Sequence, residues 1–303
     1  MSSIAMQMTK KMMKEQYAIQ GTNREDGIFD PQVMRKASDD SMLMLKPEKG
    51  VCFTERKLGS LEAEACVPEK SDGSAVVLYI HGGGLIAGNA KTSRYYASIV
   101  ANATGWTVYS CSYRLAPEYT CPAMQDDCIS GYEALVGEYP NTPIVLIGES
   151  GGAYLAVITA LTAKERGLRL PAAIAVNSVL IDLSGALTEE RAKNAATDVS
   201  LSANALRQIS ALCCPEEALR TGWRISPLYG DYTDFPPLFL SWDAGEILAA
   251  DSLKLMELVR AAGGVAEGRG CPDAFHGFQT MGHILPESEE VLRNTIAFIR
   301  AQL

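Results

Sequence analysis

Short apolar runs alternate with helical segments through most of this chain, and that rhythm restricts the fold more than any other feature. Residues 75–80, 107–113, 144–147, 173–181 and 238–242 are apolar runs of strand length. Between and after them, 92–104, 126–138, 152–166, 252–262 and 287–302 carry helical spacing, several of them ended by Gly or Tyr-Pro. Strands of about four to eight residues separated by helices of about ten to fifteen predict βαβ crossovers. The expected class is therefore α/β, a mainly parallel central sheet flanked by helices on both faces. Residues 4–20 are spaced as an amphipathic helix, and a polar, turn-rich stretch follows to about residue 50. The stretch 185–226 breaks the rhythm with polar, Ala-rich helical sequence and no clear strand. That is too long for an ordinary connection and reads as an insertion packed over the sheet's carboxyl edge.

Composition narrows the partners. The 303 residues are 47% hydrophobic and 21% charged, a soluble globular balance compatible with one large α/β domain over 1–303. With 27 Lys and Arg against 36 Asp and Glu, the formal charge is −9, which repels phosphate backbones and anionic lipid. Neither nucleic acid nor a membrane is an expected partner. Lys10, Lys11 and Lys14 interrupt the N-terminal apolar positions where a signal peptide needs an unbroken run. The eight cysteines, among them Cys121, Cys128, Cys213 and Cys214, match neither a zinc pattern nor a compact disulfide framework. Reduced thiols, mostly buried, in a cytoplasmic protein without a metal are the expectation.

Two glycine-rich motifs carry the chemistry. Gly148-Glu149-Ser150-Gly151-Gly152 follows the run IVLI and precedes a helical pattern. A serine on so sharp a strand-to-helix turn leaves no room for side chains two positions away, which explains glycine at 148 and 152. The turn exposes the Ser150 hydroxyl near a helix N-terminus, whose partial positive charge favours a developing anion. His81-Gly82-Gly83-Gly84 follows the strand 75–80, and consecutive glycines allow backbone N–H groups to aim into a cavity. Donors placed there can supply ~3–4 kcal/mol to an oxyanion in acyl transfer. The roles assigned are oxyanion donors for Gly83, Gly84 and Gly151. A phosphate loop is excluded, since neither a Gly-Lys-Ser/Thr ending nor GxGxxG occurs at this position.

In chain order the sequence presents HGGG, then Tyr113-Arg114-Leu115-Ala116-Pro117-Glu118, then GESGG, then Ser226-Pro227-Leu228-Tyr229-Gly230-Asp231, then Phe275-His276-Gly277-Phe278. Together these resemble the α/β-hydrolase superfamily, in its hormone-sensitive-lipase-like carboxylesterase branch, over about residues 50–303. The resemblance implies the α/β-hydrolase fold and hydrolysis of short-chain carboxylic esters, with no cofactor and a small-molecule ester as substrate. It also implies a helical cap from the N-terminus and an insertion after the sixth strand, where 1–48 and 185–226 fall. A homodimer through the last strand and helix is common among relatives, so oligomeric state stays open. An amidase, lactonase or deacetylase would use the same elbow, and a non-catalytic receptor on this scaffold would be expected to lack Ser150 or His276.

A serine needs a base, usually His, and the chain has three. His276 has the position of the general base in the order Ser, acid, His. By resemblance His81 supports the glycine loop, while His283 matches no family position and is expected on the surface. For the acid, Glu246 stands where many relatives have an Asp, with Asp243 as main rival, then Asp251 and Asp182. Gly151 and Glu149 depart from the usual Ala and Asp or Thr. Glu149 reads as a structural acceptor or a substrate contact. Arg114 and Glu118 are expected to pair, Asp126 and Asp127 to cap a helix. Trp223, Arg224 and Met or Tyr residues of the first helix are candidate pocket walls.

Overall fold

The computed structural model describes residues 2–28 and 30–303. In chain order the strands are β1 (Val51–Leu58), β2 (Leu61–Pro68), β3 (Val76–Ile80), β4 (Thr107–Ser112), β5 (Ile144–Glu149), β6 (Ala173–Asn177), β7 (Leu238–Asp243) and β8 (Ala266–Cys271). They form one sheet in the order β1-β2-β4-β3-β5-β6-β7-β8. From β4 to β8 every neighbouring pair is parallel. The β1–β2 hairpin joins antiparallel at one edge. The inner strands β3, β5 and β6 are buried nearly end to end, as parallel strands covered on both faces must be.

The helices are α1 (Ile4–Gln20), α2 (Pro31–Met44), α3 (Arg94–Thr104), α4 (Ala123–Glu138), α5 (Gly151–Glu165), α6 (Thr188–Ala192), α7 (Ala203–Cys213), α8 (Ala249–Ala261) and α9 (Pro286–Arg300). One face of the sheet packs against α4, α5 and α8 through Cys128, Tyr132, Leu155, Ile158, Leu255 and Val259. The other packs against α3 and α9 through Tyr96, Ile99, Val100, Leu292 and Phe298. Helix α5 is buried along almost its whole length, matching its uniformly apolar sequence. All eight cysteines are free thiols, and all but Cys52 and Cys271 are buried. Among the described residues no helix is long and apolar enough to cross a membrane, and no His/Cys/Asp/Glu group could hold a metal.

The stretch read as turn-rich before residue 50 contains α2. Its start is chemically explicit: the Asp30 carboxylate accepts from Gln32 N and Val33 N, with Pro31 in the first turn. The helix buries no residue completely, and its sequence mixes Val33, Met34, Met42 and Leu43 with Gln32, Arg35, Lys36, Asp39 and Asp40. The edge strands β1 and β8 escaped the sequence reading for a related reason: their exposed, charged or Gly-containing positions break the apolar run. The N-terminal segment and the insertion are tied together at several points. Thr22 Oγ1 donates to Ser200 O at 2.8 Å, Ser202 Oγ to Arg24 O at 3.0 Å, and Asn204 Nδ2 to Gly27 O at 2.8 Å.

A buried charge cluster joins the insertion to the body. Arg191 of α6 donates Nη2 to Asp251 Oδ1 at 2.6 Å and Nε to Asp251 Oδ2 at 2.8 Å, and also Nη2 to Asp182 O at 2.8 Å. Asp182 spends its carboxylate on the N–H groups of Ser184, Gly185 and Leu187. Removing the cation strands buried carboxylates, an effect of about 3–5 kcal/mol. Arg191→Met is accordingly expected to lower the urea midpoint by the equivalent of that loss. A variant within about 1 kcal/mol of wild type would contradict the reading.

Candidate active site

The parallel strands place their carboxyl ends along one edge, where α/β proteins build their sites. There β5 runs into Ser150, which takes φ 52° and ψ −118° before α5 begins at Gly151. A non-glycine residue at positive φ is a strained conformation held by its surroundings. Here Ser150 N donates to Asn177 O at 2.8 Å and Ser150 O accepts from Tyr154 N at 3.1 Å. Two flanking glycines are sterically required. A Cβ on Gly148 would lie 2.4 Å from Gly152 O, and one on Gly152 would lie 2.0 Å from Ile80 O. The departure at Gly151 also has a cause: a methyl there would sit 2.9 Å from Leu85 N, because the glycine-rich loop passes so close.

Ser150 Oγ lies 2.8 Å from His276 Nε2, and His276 Nδ1 lies 2.6 Å from Glu246 Oε2. Glu246 is fully buried, and its other oxygen accepts from Asp243 N at 3.1 Å. Of the rival carboxylates, Asp243 Oδ1 accepts from Gly245 N and Ala274 N, and Asp251 and Asp182 belong to the Arg191 cluster. None of the three reaches the imidazole among the described contacts. The insertion braces this relay with residues that the sequence reading missed. Asp198 accepts from Ile247 N, Ser200 N and Leu201 N, Asn194 Nδ2 donates to Glu246 O, and His276 N donates to Ser200 Oγ. Polar residues in a loop of broken periodicity give no sequence signal for such second contacts. From α1, Tyr17 OH donates to His276 O at 3.1 Å.

Burial on its own would depress the His276 pKa, but the carboxylates of Glu246, Glu149 and Asp198 outweigh it and raise it to about 9. An imidazole that must be neutral to accept a proton works only above its pKa. The rise of kcat/KM with pH is therefore expected on the alkaline side of neutrality. A plateau already reached at about pH 6.5, the ordinary histidine value, would contradict it.

The glycine-rich loop follows β3. Gly83 and Gly84 have φ of 108° and 62°, and a Cβ on Gly83 would strike Ala87 O at 2.3 Å. Among the described residues, the N–H groups of Gly83 and Gly84 donate to no protein acceptor, and Gly151 N–H opens α5, where helical N–H groups have no internal partner. His81 is buried and stacked on Tyr113 at 4.3 Å, with Nδ1 2.7 Å from Gly82 O. Burial lowers its pKa to about 4, so it stays neutral and does not touch Ser150 among the described contacts. His283 is exposed and lies between Glu48 and Glu289.

A cavity of about 140 Å³ opens over Ser150, walled by Met13, Tyr17, Met34, Leu180, Leu206 and Ile209 among others. Several expectations need correction. Trp223 packs against the main core and Arg224 pairs with Glu165, so neither lines this cavity. Arg114 pairs with Asp127, not Glu118, because the Asp127 carboxylate takes both its guanidinium and its N–H. Glu118 is taken by Arg35 of α2. Helix α4 starts at Ala123 without a side-chain cap, so neither Asp126 nor Asp127 caps it.

A family model described as the alpha/beta hydrolase fold matches residues 77–280. An acetyl-hydrolase of Streptomyces hygroscopicus is 29% identical over 247 residues, covering 80% of this chain and 81% of its own. Esterase LipU of Mycobacterium tuberculosis is 30% identical over 237 residues, covering 74% and 77% respectively. Among solved structures, an esterase from the bacterial hormone-sensitive lipase family matches with a TM-score of 0.91 at 27% identity, over 100% of this chain and 99% of that one. The chain belongs to the α/β-hydrolase fold family. Within it, the likeness to those relatives places it in the hormone-sensitive-lipase-like carboxylesterase branch.

Proposed function

We propose that this chain is a serine carboxylesterase hydrolysing short-chain esters through an acyl-enzyme, with Ser150 as nucleophile, His276 as base and Glu246 as its acid partner. That it is a carboxylic ester hydrolase rests on kinship with esterases, lipases and acetyl-hydrolases. The roles rest on one observation, the continuous relay from Ser150 Oγ through His276 to Glu246, with spacings of 2.8 and 2.6 Å.

In the first half-reaction His276 Nε2 takes the Ser150 proton as Oγ bonds to the ester carbonyl carbon. The carbonyl oxygen becomes an oxyanion held by the N–H groups of Gly83, Gly84 and Gly151. Glu246 stabilises the imidazolium and fixes the Nδ1–H tautomer. The proton passes to the departing alcohol, whose bond to the acyl carbon breaks. In the second half, His276 deprotonates water, which attacks the acyl carbon, and Ser150 leaves with the proton returned. The N-terminal segment and the 185–226 insertion act as the cap that closes the cavity. Its small volume favours short acyl groups, and acetyl esters fit both that volume and the acetyl-hydrolase relative.

A fluorophosphonate probe, which needs an activated serine, is the direct test. Labelling is expected at Ser150, located by peptide mass analysis. An unlabelled folded chain would overturn the assignment.

A further inference from the structure

One carboxylate in the cavity has no part in the acyl-transfer steps above. Glu149, the last residue of β5, lines the cavity beside Ser150 and is only half-buried. Burial raises its pKa, while His276 and the backbone of Gly82 favour its charged form. A Cβ on Gly82 would lie 2.6 Å from its Oε2, and one on Gly277 would lie 2.8 Å from its Oε1. The carboxylate thus occupies the space that side chains at these two glycines would need, between the glycine-rich loop and the residue after His276.

In the reactive state, with the His276 imidazole neutral, no cation in the wall offsets it. Among the described residues lining the cavity there is no lysine or arginine, and Glu149 is the only acid. Behind His276 lie two more carboxylates, Glu246 and Asp198. The hydroxyls of Ser41, Thr92, Ser93 and Thr280 already donate to the carbonyls of Ala37, Asn89 and Gly277. With their protons committed, these hydroxyls offer an entering group lone pairs. The glycine N–H groups can hold one anion, and in the reaction that anion is the oxyanion. A second anion on the substrate is left with neutral side-chain donors such as Gln16 and Ser38, and it meets the like charge of Glu149.

Resting on the esterase reading above, we infer that the cavity accepts esters uncharged or cationic in both their acyl and alcohol parts and rejects those bearing a carboxylate or phosphate, with Glu149 setting the discrimination. At an effective dielectric of ~20, a like charge about 8 Å away is worth roughly a 30-fold loss. The same repulsion acts on the product. The acid released by deacylation ionises next to Glu149, so it leaves readily and inhibits weakly.

The test compares kcat/KM for ethyl butyrate, monoethyl succinate and ethyl 4-aminobutyrate, near-isosteric esters that differ in charge, by acid release at about pH 8. Ethyl butyrate is expected to exceed monoethyl succinate by about 30-fold or more, with ethyl 4-aminobutyrate at least equal to the neutral ester. Glu149→Gln is expected to narrow the butyrate-to-succinate ratio by about tenfold and to strengthen inhibition by added butyrate. Because the ratio is read, a general fall in rate cancels. Glu149→Asp keeps the charge and is expected to keep the discrimination, which covers a Gln variant that fails to fold. Equal use of the two esters by the wild type, or an unchanged ratio in Glu149→Gln, would overturn the inference. Loss of all three activities in the wild type would instead count against the esterase assignment.

Discussion

Ser150→Ala is expected to reduce kcat for a short-chain 4-nitrophenyl ester by about 10⁴-fold or more, and His276→Ala by a similar factor. The two side chains act on one proton, so the double variant is expected to be no slower than the worse single one. The geometry makes the serine replacement a clean probe. The φ of 52° at position 150 is imposed by Ser150 N–Asn177 O and by the glycines on either side, none of which involve Oγ. The elbow therefore survives removal of the hydroxyl, and the thermal midpoint is expected to stay close to wild type. Turnover in Ser150→Ala above about a hundredth of wild type would move the nucleophile elsewhere. A double variant slower than either single one by the product of their effects would show that the two residues do not share a step.

What could be read from the chain depended on whether backbone or side-chain contact carries the information. The sheet's inner strands were legible because burial on both faces forces an apolar run, as in 144–147. The strand-to-helix turn at Ser150 was legible because sterics force glycine at 148 and 152, a constraint written directly into residue identity. Edge elements were not: β1 and β8 are half in water, and α2 buries none of its residues completely, so no continuous apolar run marks them. Pairings between polar residues were the least legible. Asp127 and Glu118 are both plausible partners for Arg114 in sequence, and only the fold, by bringing Arg35 of α2 to Glu118, decides between them. Asp198 illustrates the same limit. Nothing in the 185–226 sequence distinguishes it from other polar residues, yet it holds Ile247 N next to the buried acid.

Glu246→Gln is expected to lower kcat by about 10³–10⁴-fold, because a neutral amide can no longer stabilise the imidazolium and can present an N–H where His276 Nδ1 needs an acceptor. The neighbouring carboxylate supplies the control. Asp243 faces Gly245 N and Ala274 N, and its pKa is pushed up to about 6, by burial first and by Glu246 among the charges. Asp243→Asn keeps an oxygen acceptor and leaves the imidazole contact alone, so its kcat is expected within about tenfold of wild type. Glu246→Asp separates charge from reach. The shortened side chain keeps the anion but stops one methylene short of Nδ1 on a backbone set for glutamate, where Glu246 Oε1 also holds Asp243 N. An intermediate rate is expected, with the His276 limb of the pH profile shifted toward neutrality as the stabilising charge recedes. Were Asp243→Asn the more damaging substitution and Glu246→Gln mild, the acid partner would be Asp243, and the 2.6 Å contact would have no catalytic role.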